Sequence, residues 1–251
     1  MNLRKFIVIF IFILLFALKS ISAQTSNLKF GVKGGLNMST AIVHDGDNKF
    51  MQGYHIGGTV DYLFAPKFEL QSGLLFSKTG SIIHNFGGYR NLSANANVPL
   101  KGGISDKITT FNSLYLKLPL YVAFRKNISD NFNFYTGFGL YFGYGIGGKS
   151  AHNIGYYDYD MELGRVYFNG LKWDTFKKSS QALSRFDFGA GINAGIESHN
   201  FFYSIGFERG LINIANKDSR PRTYKVNGIS RRSLGMLYRN VNISISTGYR
   251  F

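Results

Sequence analysis

Five histidines, His44, His55, His84, His152 and His199, are the side chains best suited to acid–base or metal chemistry in this chain of 251 residues. A hydrolytic site would need one of them as base, an acid to orient it and a nucleophile beside it. His84 and His152 stand near serines, but both fall in long connections, and a triad is made by geometry, not by proximity along the chain. They read as exposed loop histidines. His44-Asp45-Gly46-Asp47-Asn48 lacks the D-x-[DN]-x-[DN]-G spacing and the later bidentate glutamate of a Ca²⁺ loop, so it reads as a polar turn. Gly143-x-Gly145-x-Gly147-Gly148 has no following helix to hold phosphate, and small residues relieving crowding explain it better. The chain has no cysteine, so neither disulfides nor thiolate metal sites hold it together. No cofactor, metal or catalytic set is expected.

The charged residues fall into a pattern instead. Alternate positions in eight segments are apolar, and charges occupy almost only the other parity. The segments are Leu28–Met38, Tyr54–Phe64, Lys67–Thr79, Phe111–Arg125, Phe132–Gly148, Leu183–Glu197, Phe201–Gly210 and Val241–Phe251. The fourth carries an unbroken apolar row, Leu114, Leu116, Leu118, Leu120, Val122 and Phe124, against Tyr115, Lys117, Pro119, Tyr121 and Arg125. A period of two places one row on each face of a strand. Period alone does not separate a soluble sandwich from a barrel in lipid. The connections do: they alternate between short (Ala65-Pro66, Lys126–Asn131, Ser198–Asn200) and long (Ser39–Phe50, Gly80–Thr110, Lys149–Ala182, Leu211–Met236). Short turns at one end and long loops at the other are the layout of an outer-membrane barrel with both termini in the periplasm. Lipid cannot satisfy an open sheet edge, so the sheet must close.

The N-terminus agrees. Arg4 and Lys5 precede a 13-residue apolar run, Phe6–Leu18, and Ser20-Ile21-Ser22-Ala23 offers a small residue before Gln24. This is the pattern of a secretory signal peptide cut after Ala23, too short to span as a helix. Residues 1–23 are therefore expected to be removed and residues 24–251 to form the barrel. With 30 glycines, 16% aromatics and 4 prolines, the composition suits strands on a curved sheet. The leader carries three of the basic residues, so a precursor charge of +15 becomes +12. In a secreted barrel that balance points to anionic lipid headgroups and lipopolysaccharide, not nucleic acid.

The expected fold is all-β: an eight-stranded antiparallel up-and-down transmembrane β-barrel with short periplasmic turns and long extracellular loops. Val166–Trp173, with Asn169-Gly170 at its centre, reads as a hairpin standing above the membrane; a ten-stranded barrel is the alternative. Eight strands leave an interior just wide enough for side chains. Lys29, Lys33, Asp61, Glu69, Lys117, Arg125, Asp187, Glu197 and Arg250 should pair there and plug it. Glu69 begins the third strand and Arg125 ends the fourth, which predicts a charge network near the periplasmic end with Lys29, Glu197 and Arg250. Six basic residues, Lys217, Arg220, Arg222, Lys225, Arg231 and Arg232, stand against Asp218 alone in the last long loop, a net +5. They are candidates for gripping lipopolysaccharide or an acidic partner. The final strand, ending on Phe251, is the candidate signal to the barrel-assembly machinery.

Tyr115-Leu-Lys-Leu-Pro-Leu120, the opening Phe30–Asn37 (FGVKGGLN) and the terminal Gly-Tyr-Arg-Phe together resemble Bacteroidota-type outer-membrane β-barrel proteins, labelled porin-family or PorT-like. The resemblance covers residues 24–251 and implies an OmpX-like barrel. One branch of that family is linked to type IX protein secretion, and no catalytic motif carries over. Three roles follow: a structural or interaction barrel working through its loops, a small-solute pore, and an outer-membrane lipid-modifying enzyme.

Overall fold

The computed structural model describes residues 27–43, 46–90, 103–129, 131–158, 166–168, 171–177, 183–216, 223–226, 229–232 and 237–251. The expected leader lies outside them. Thirteen strands occur among these residues. They are β1 Leu28–Ile42, β2 Asp47–Ala65, β3 Phe68–Arg90, β4 Gly103–Ser129, β5 Phe132–Gly147, β6 Lys149–Asp158, β7 Val166–Phe168, β8 Lys172–Asp174, β9 Phe186–Ser198, β10 Phe201–Gly210, β11 Thr223–Val226, β12 Ile229–Arg232 and β13 Arg239–Arg250.

Eight of them close a ring, β1-β2-β3-β4-β5-β9-β10-β13, every neighbour antiparallel. The seam pairs β1 with β13, setting Leu36 opposite Ile245 and Gly31 opposite Arg250. The ring thus has no open edge for lipid to meet. Its two faces invert the order of a soluble protein. Leu36, Phe138, Ile205 and Ile245 are 63–72% exposed, whereas Asp61, Glu69, Glu197 and Arg250 are 1–5% exposed. A water-facing sheet would bury the first set and expose the second. The two-residue turn between β9 and β10 holds His199 at a φ of 55°, so this exposed histidine is a turn residue.

Three expectations about the long connections need correction. The ladder outruns the apolar belt, because hydrogen bonding across a strand pair satisfies the backbone above lipid as well as within it. The first long loop, expected over Ser39–Phe50, shrinks to residues 43–46 between β1 and β2. The second, expected over Gly80–Thr110, is largely strand, since β3 and β4 stay paired as far as Arg90 and Gly103. In the third, β5 ends at Gly147 and Gly148 takes a φ of 155°. The chain then leaves the ring as β6, which pairs with Gly103–Thr110 of β4. The expected hairpin over Val166–Trp173 does not form. Its arms, β7 and β8, pair one after the other with β6 and not with each other; Asn169 and Gly170 themselves lie outside the described residues. Neither arm enters the ring, which stays at eight.

A charge placed on the outer row must face hydrocarbon. Leu118→Arg, near the middle of that row, should destabilise the barrel by about 2–4 kcal/mol in urea titrations on lipid bilayers. A change within a few tenths of a kcal/mol would mean that this face meets water.

Candidate functional site

Inward parity and a narrow bore bring charged side chains from opposite walls into contact. Among the described residues the lumen holds five cations, Lys29, Lys33, Lys117, Arg125 and Arg250, and five carboxylates, Asp61, Glu69, Asp187, Glu197 and Glu208. The lower tier forms where strands meet the short turns. Arg125 Nη1 donates to Glu69 Oε2 at 2.9 Å and Arg250 Nε to Asp61 Oδ2 at 2.7 Å. Glu197 receives Arg125, Arg250 and, at 3.4 Å, the half-exposed Lys29. Arg250 also lies 3.7 Å from Glu69. Its guanidinium sits over the rings of Phe202 and Tyr135, 4.9 and 5.4 Å from their centroids. Gln71 Nε2 donates to the remaining Glu69 oxygen at 2.7 Å.

A second tier lies higher. Lys117 Nζ meets Glu208 Oε2 at 2.6 Å, and Asn242 and Tyr121 donate to Glu208 at 3.1 and 3.3 Å. Tyr141 and Asn240 donate to Asp187 at 3.3 and 2.7 Å. The structure therefore separates Lys117 and Asp187 from the other expected network members. Lys33 joins neither tier by a direct bond. It lines a cavity of about 60 Å³ shared with Asp61, Gln71, Tyr135 and Glu208, room for a few waters. Glu208 completes the count of carboxylates. Its inward parity is readable in the sequence, but pairing it with Lys117 needs the register across four strands.

His55, on β2, reaches over β1 to β13. Its Nδ1 bonds Asn37 Oδ1 at 2.7 Å and its Nε2 bonds Ser246 Oγ at 2.9 Å. Serine, imidazole and amide oxygen in series have the connectivity of a nucleophile, base and orienting group. All three are sealed in, at 2–6% exposure, and the lumen cavity does not reach them. Asn37 Nδ2 continues the chain to Ser77 on β3 at 3.1 Å, so the set ties four strands together. The other described histidines do not converge. The expectation of exposed loop histidines fails for His84 and His152, because the ladder extends through both connections: His152 is buried on β6 and bonds Thr109 at 3.1 Å, and His84 lies on β3 opposite Asp47. Among the described residues no group of three His, Cys, Asp or Glu is placed to hold a metal. His44 and Asp45 of the polar turn lie outside them.

The upper mouth is filled by apolar side chains from the connections, a feature without sequence periodicity. Phe176, Leu183, Ile214, Ala215 and Tyr238 pack on Ala41, Ile83, Phe111 and Tyr115 of the wall, with Val43 and Trp173 at the margin. Phe111 meets the Tyr238 ring edge-on at 5.1 Å, and Phe176 meets Tyr115 at 5.5 Å. A Cβ on Gly145 would lie 2.4 Å from the Phe176 ring, so glycine there admits the plug. Backbone bonds pin the incoming segments: Leu183 N–H to Thr175 O at 2.8 Å, Ser184 N–H to Ile214 O at 2.6 Å, and Ile214 N–H to Tyr238 O at 2.9 Å.

Of the basic loop, Lys217, Arg220 and Arg222 lie outside the described residues. Lys225, Arg231 and Arg232 fall in the β11–β12 hairpin, whose side chains are not described. Phe251 is 64% exposed; its N–H donates to Phe30 O at 2.8 Å and its ring packs 5.5 Å from Tyr249.

Residues 22–216 match the family described as outer membrane protein beta-barrel domain. Similar solved structures include OprG from Pseudomonas aeruginosa (12% identity, TM-score 0.39, covering 89% of this chain and 95% of that one). Neisserial surface protein A is another (10%, 0.36, 88% and 97%), as is Ail, the attachment invasion locus protein of Yersinia pestis (12%, 0.33, 90% and 100%). Among curated proteins none matches. The family assignment rests on the family match and not on these likenesses.

Glu197 is the shared acceptor of the lower tier, so its neutralisation should be costly. Glu197→Gln should lose about 3–5 kcal/mol, the scale for unpairing buried charges, in denaturant unfolding of bilayer-inserted protein. A loss below about 1 kcal/mol, the scale of an exposed pair, would show that water screens the cluster.

Proposed function

The chain belongs to the outer membrane β-barrel family, and from that premise we propose that it is a closed, non-catalytic barrel whose extracellular extension does the work. One observation carries this reading. The lumen is filled at both ends, by the Arg125–Glu197–Arg250 cluster below and by Phe176, Ile214 and Tyr238 above. Among the described residues, a cavity of about 60 Å³ lies between them. A barrel that spends its bore on side chains offers partners its exterior, and here β3, β4 and β6–β8 carry the sheet beyond the apolar belt. The sealed state of Ser246 and His55 supports a structural role for that pair. A part in type IX secretion, as in the PorT-like branch, is the finer form of the proposal. It rests on the resemblance of Phe30–Asn37 and Tyr115–Leu120.

Purified protein in planar bilayers tests closure. No steady single-channel conductance is expected, and conductance of general-porin size would replace this reading with the small-solute pore.

The basic run from Lys217 to Arg232 is proposed to hold lipopolysaccharide phosphates by charge pairing that salt weakens. Neutralising Arg220, Arg222, Arg231 and Arg232 together should leave the barrel folded and lower its low-salt affinity for lipopolysaccharide. Unchanged affinity would make the loop a spacer.

A further inference from the structure

The outer wall is not uniformly convex. On the face formed by β4, β5, β9 and β10 a trough of about 570 Å³ lies among apolar side chains. Its floor is made by the small outward residues Thr136 and Ala194, which face each other across β5 and β9. Phe124, Phe138, Ile205 and Phe207 stand around it. The wall is therefore indented where two adjacent strands carry small residues in one row and bulky ones in the rows beside it.

Its position along the barrel fixes what surrounds it. Phe132, Phe201, Tyr203, Tyr249 and Phe251 gather on the outer face at the short-turn end, all but Tyr249 among the large exposed apolar residues. This is the aromatic girdle that marks a membrane interface. The trough opens just inside that girdle, so hydrocarbon of the periplasmic leaflet surrounds it. Charge marks the same end. Lys126 is the next outward residue of β4 after Phe124, about 7 Å further along the strand. Arg125 N–H donates to Lys67 O at 2.8 Å, which sets the Lys67 backbone beside the same end of β4. Both lysines are exposed, and among the described residues neither has an ion-pair partner. An apolar channel in hydrocarbon, ending at two cations in the interface, is complementary to one chemical object: an acyl chain joined to a phosphate.

We propose that this trough is a binding site for an anionic phospholipid of the periplasmic leaflet, one acyl chain lying over Thr136 and Ala194 and the phosphate held by Lys67 and Lys126. Lipopolysaccharide occupies the opposite leaflet and is not the ligand here. The site is independent of the closed lumen.

Native mass spectrometry of the full chain in mild detergent, titrated with phosphatidylglycerol and separately with phosphatidylcholine, tests the proposal. One phosphatidylglycerol should bind at least about fivefold tighter than phosphatidylcholine, and salt should narrow the gap. Lys67→Gln with Lys126→Gln should abolish the preference while leaving weak binding of both lipids. Ala194→Phe, which fills the floor from the outside, should abolish binding of both. Thr136→Leu serves the same purpose if the first variant fails to fold, as judged by heat-modifiable migration on gels. Equal affinity for the two lipids, wild-type binding by the filled variants, displacement by lipid A, or a dimer cross-linked through this face in place of lipid would each overturn it. Bilayer conductance would not bear on this result, so the two proposals fail separately.

Discussion

A barrel of eight strands has little room to hydrate the charges that its inward parity delivers, so all but Lys33, which lines the small cavity, are held by partners across the bore. Glu197 is where this constraint tightens most. It faces Arg125, Arg250 and Lys29 from three other strands, with Glu69 and Asp61 balancing the surplus. The consequence reaches the register of the sheet. A one-residue slip at the β1–β13 seam would turn Arg250 toward lipid and Tyr249 into the bore. The ion pairs and the apolar outer row thus select the same alignment, although their energies have different origins.

The same confinement explains how aromatic and glycine residues are distributed. A Cβ on Gly189 would come within 2.4 Å of the Tyr141 ring, and one on Gly195 within 2.5 Å of Tyr135. Tyrosines from β5 lie flat over the backbone of β9, and only glycine lets them approach. Their hydroxyl ends and neighbours complete the polar tiers: Tyr141 reaches Asp187, and Arg250 lies over Tyr135. Bulk on one strand is matched by its absence on the next, and side chains from facing strands fill the bore between them.

The wall and its inner charges were legible because strand parity is local. Each segment declares its outer row, and turn length sets which residues share a depth; Glu69 and Arg125 follow from the short connections Ala65-Pro66 and Lys126–Asn131 and the antiparallel order alone. What could not be read depends on contacts with no period. Phe176, Ile214 and Tyr238 lie in connections without a strand period, and nothing near them in sequence marks Ala41, Ile83 or Phe111 as their seat. The Asn169-Gly170 dipeptide suggested a hairpin, yet β6 offered both of its arms a ladder already anchored to β4. The pairing of Glu208 with Lys117 was missed because it crosses the bore, where only the closed ring sets distance.

The central claim is that water-soluble species cannot traverse the lumen, and the absence of native cysteine permits a direct measurement. Ser204 faces inward on β10 and is 6% exposed, between the two charged tiers. The single variant Ser204→Cys, folded in lipid vesicles, would be treated with a small cationic methanethiosulfonate from either side, with Asn200→Cys in the exposed turn as the reactive control. The thiol at position 204 should stay unmodified until the barrel is unfolded, while the turn thiol reacts at once. Rapid labelling of the folded Ser204→Cys protein would contradict a closed lumen.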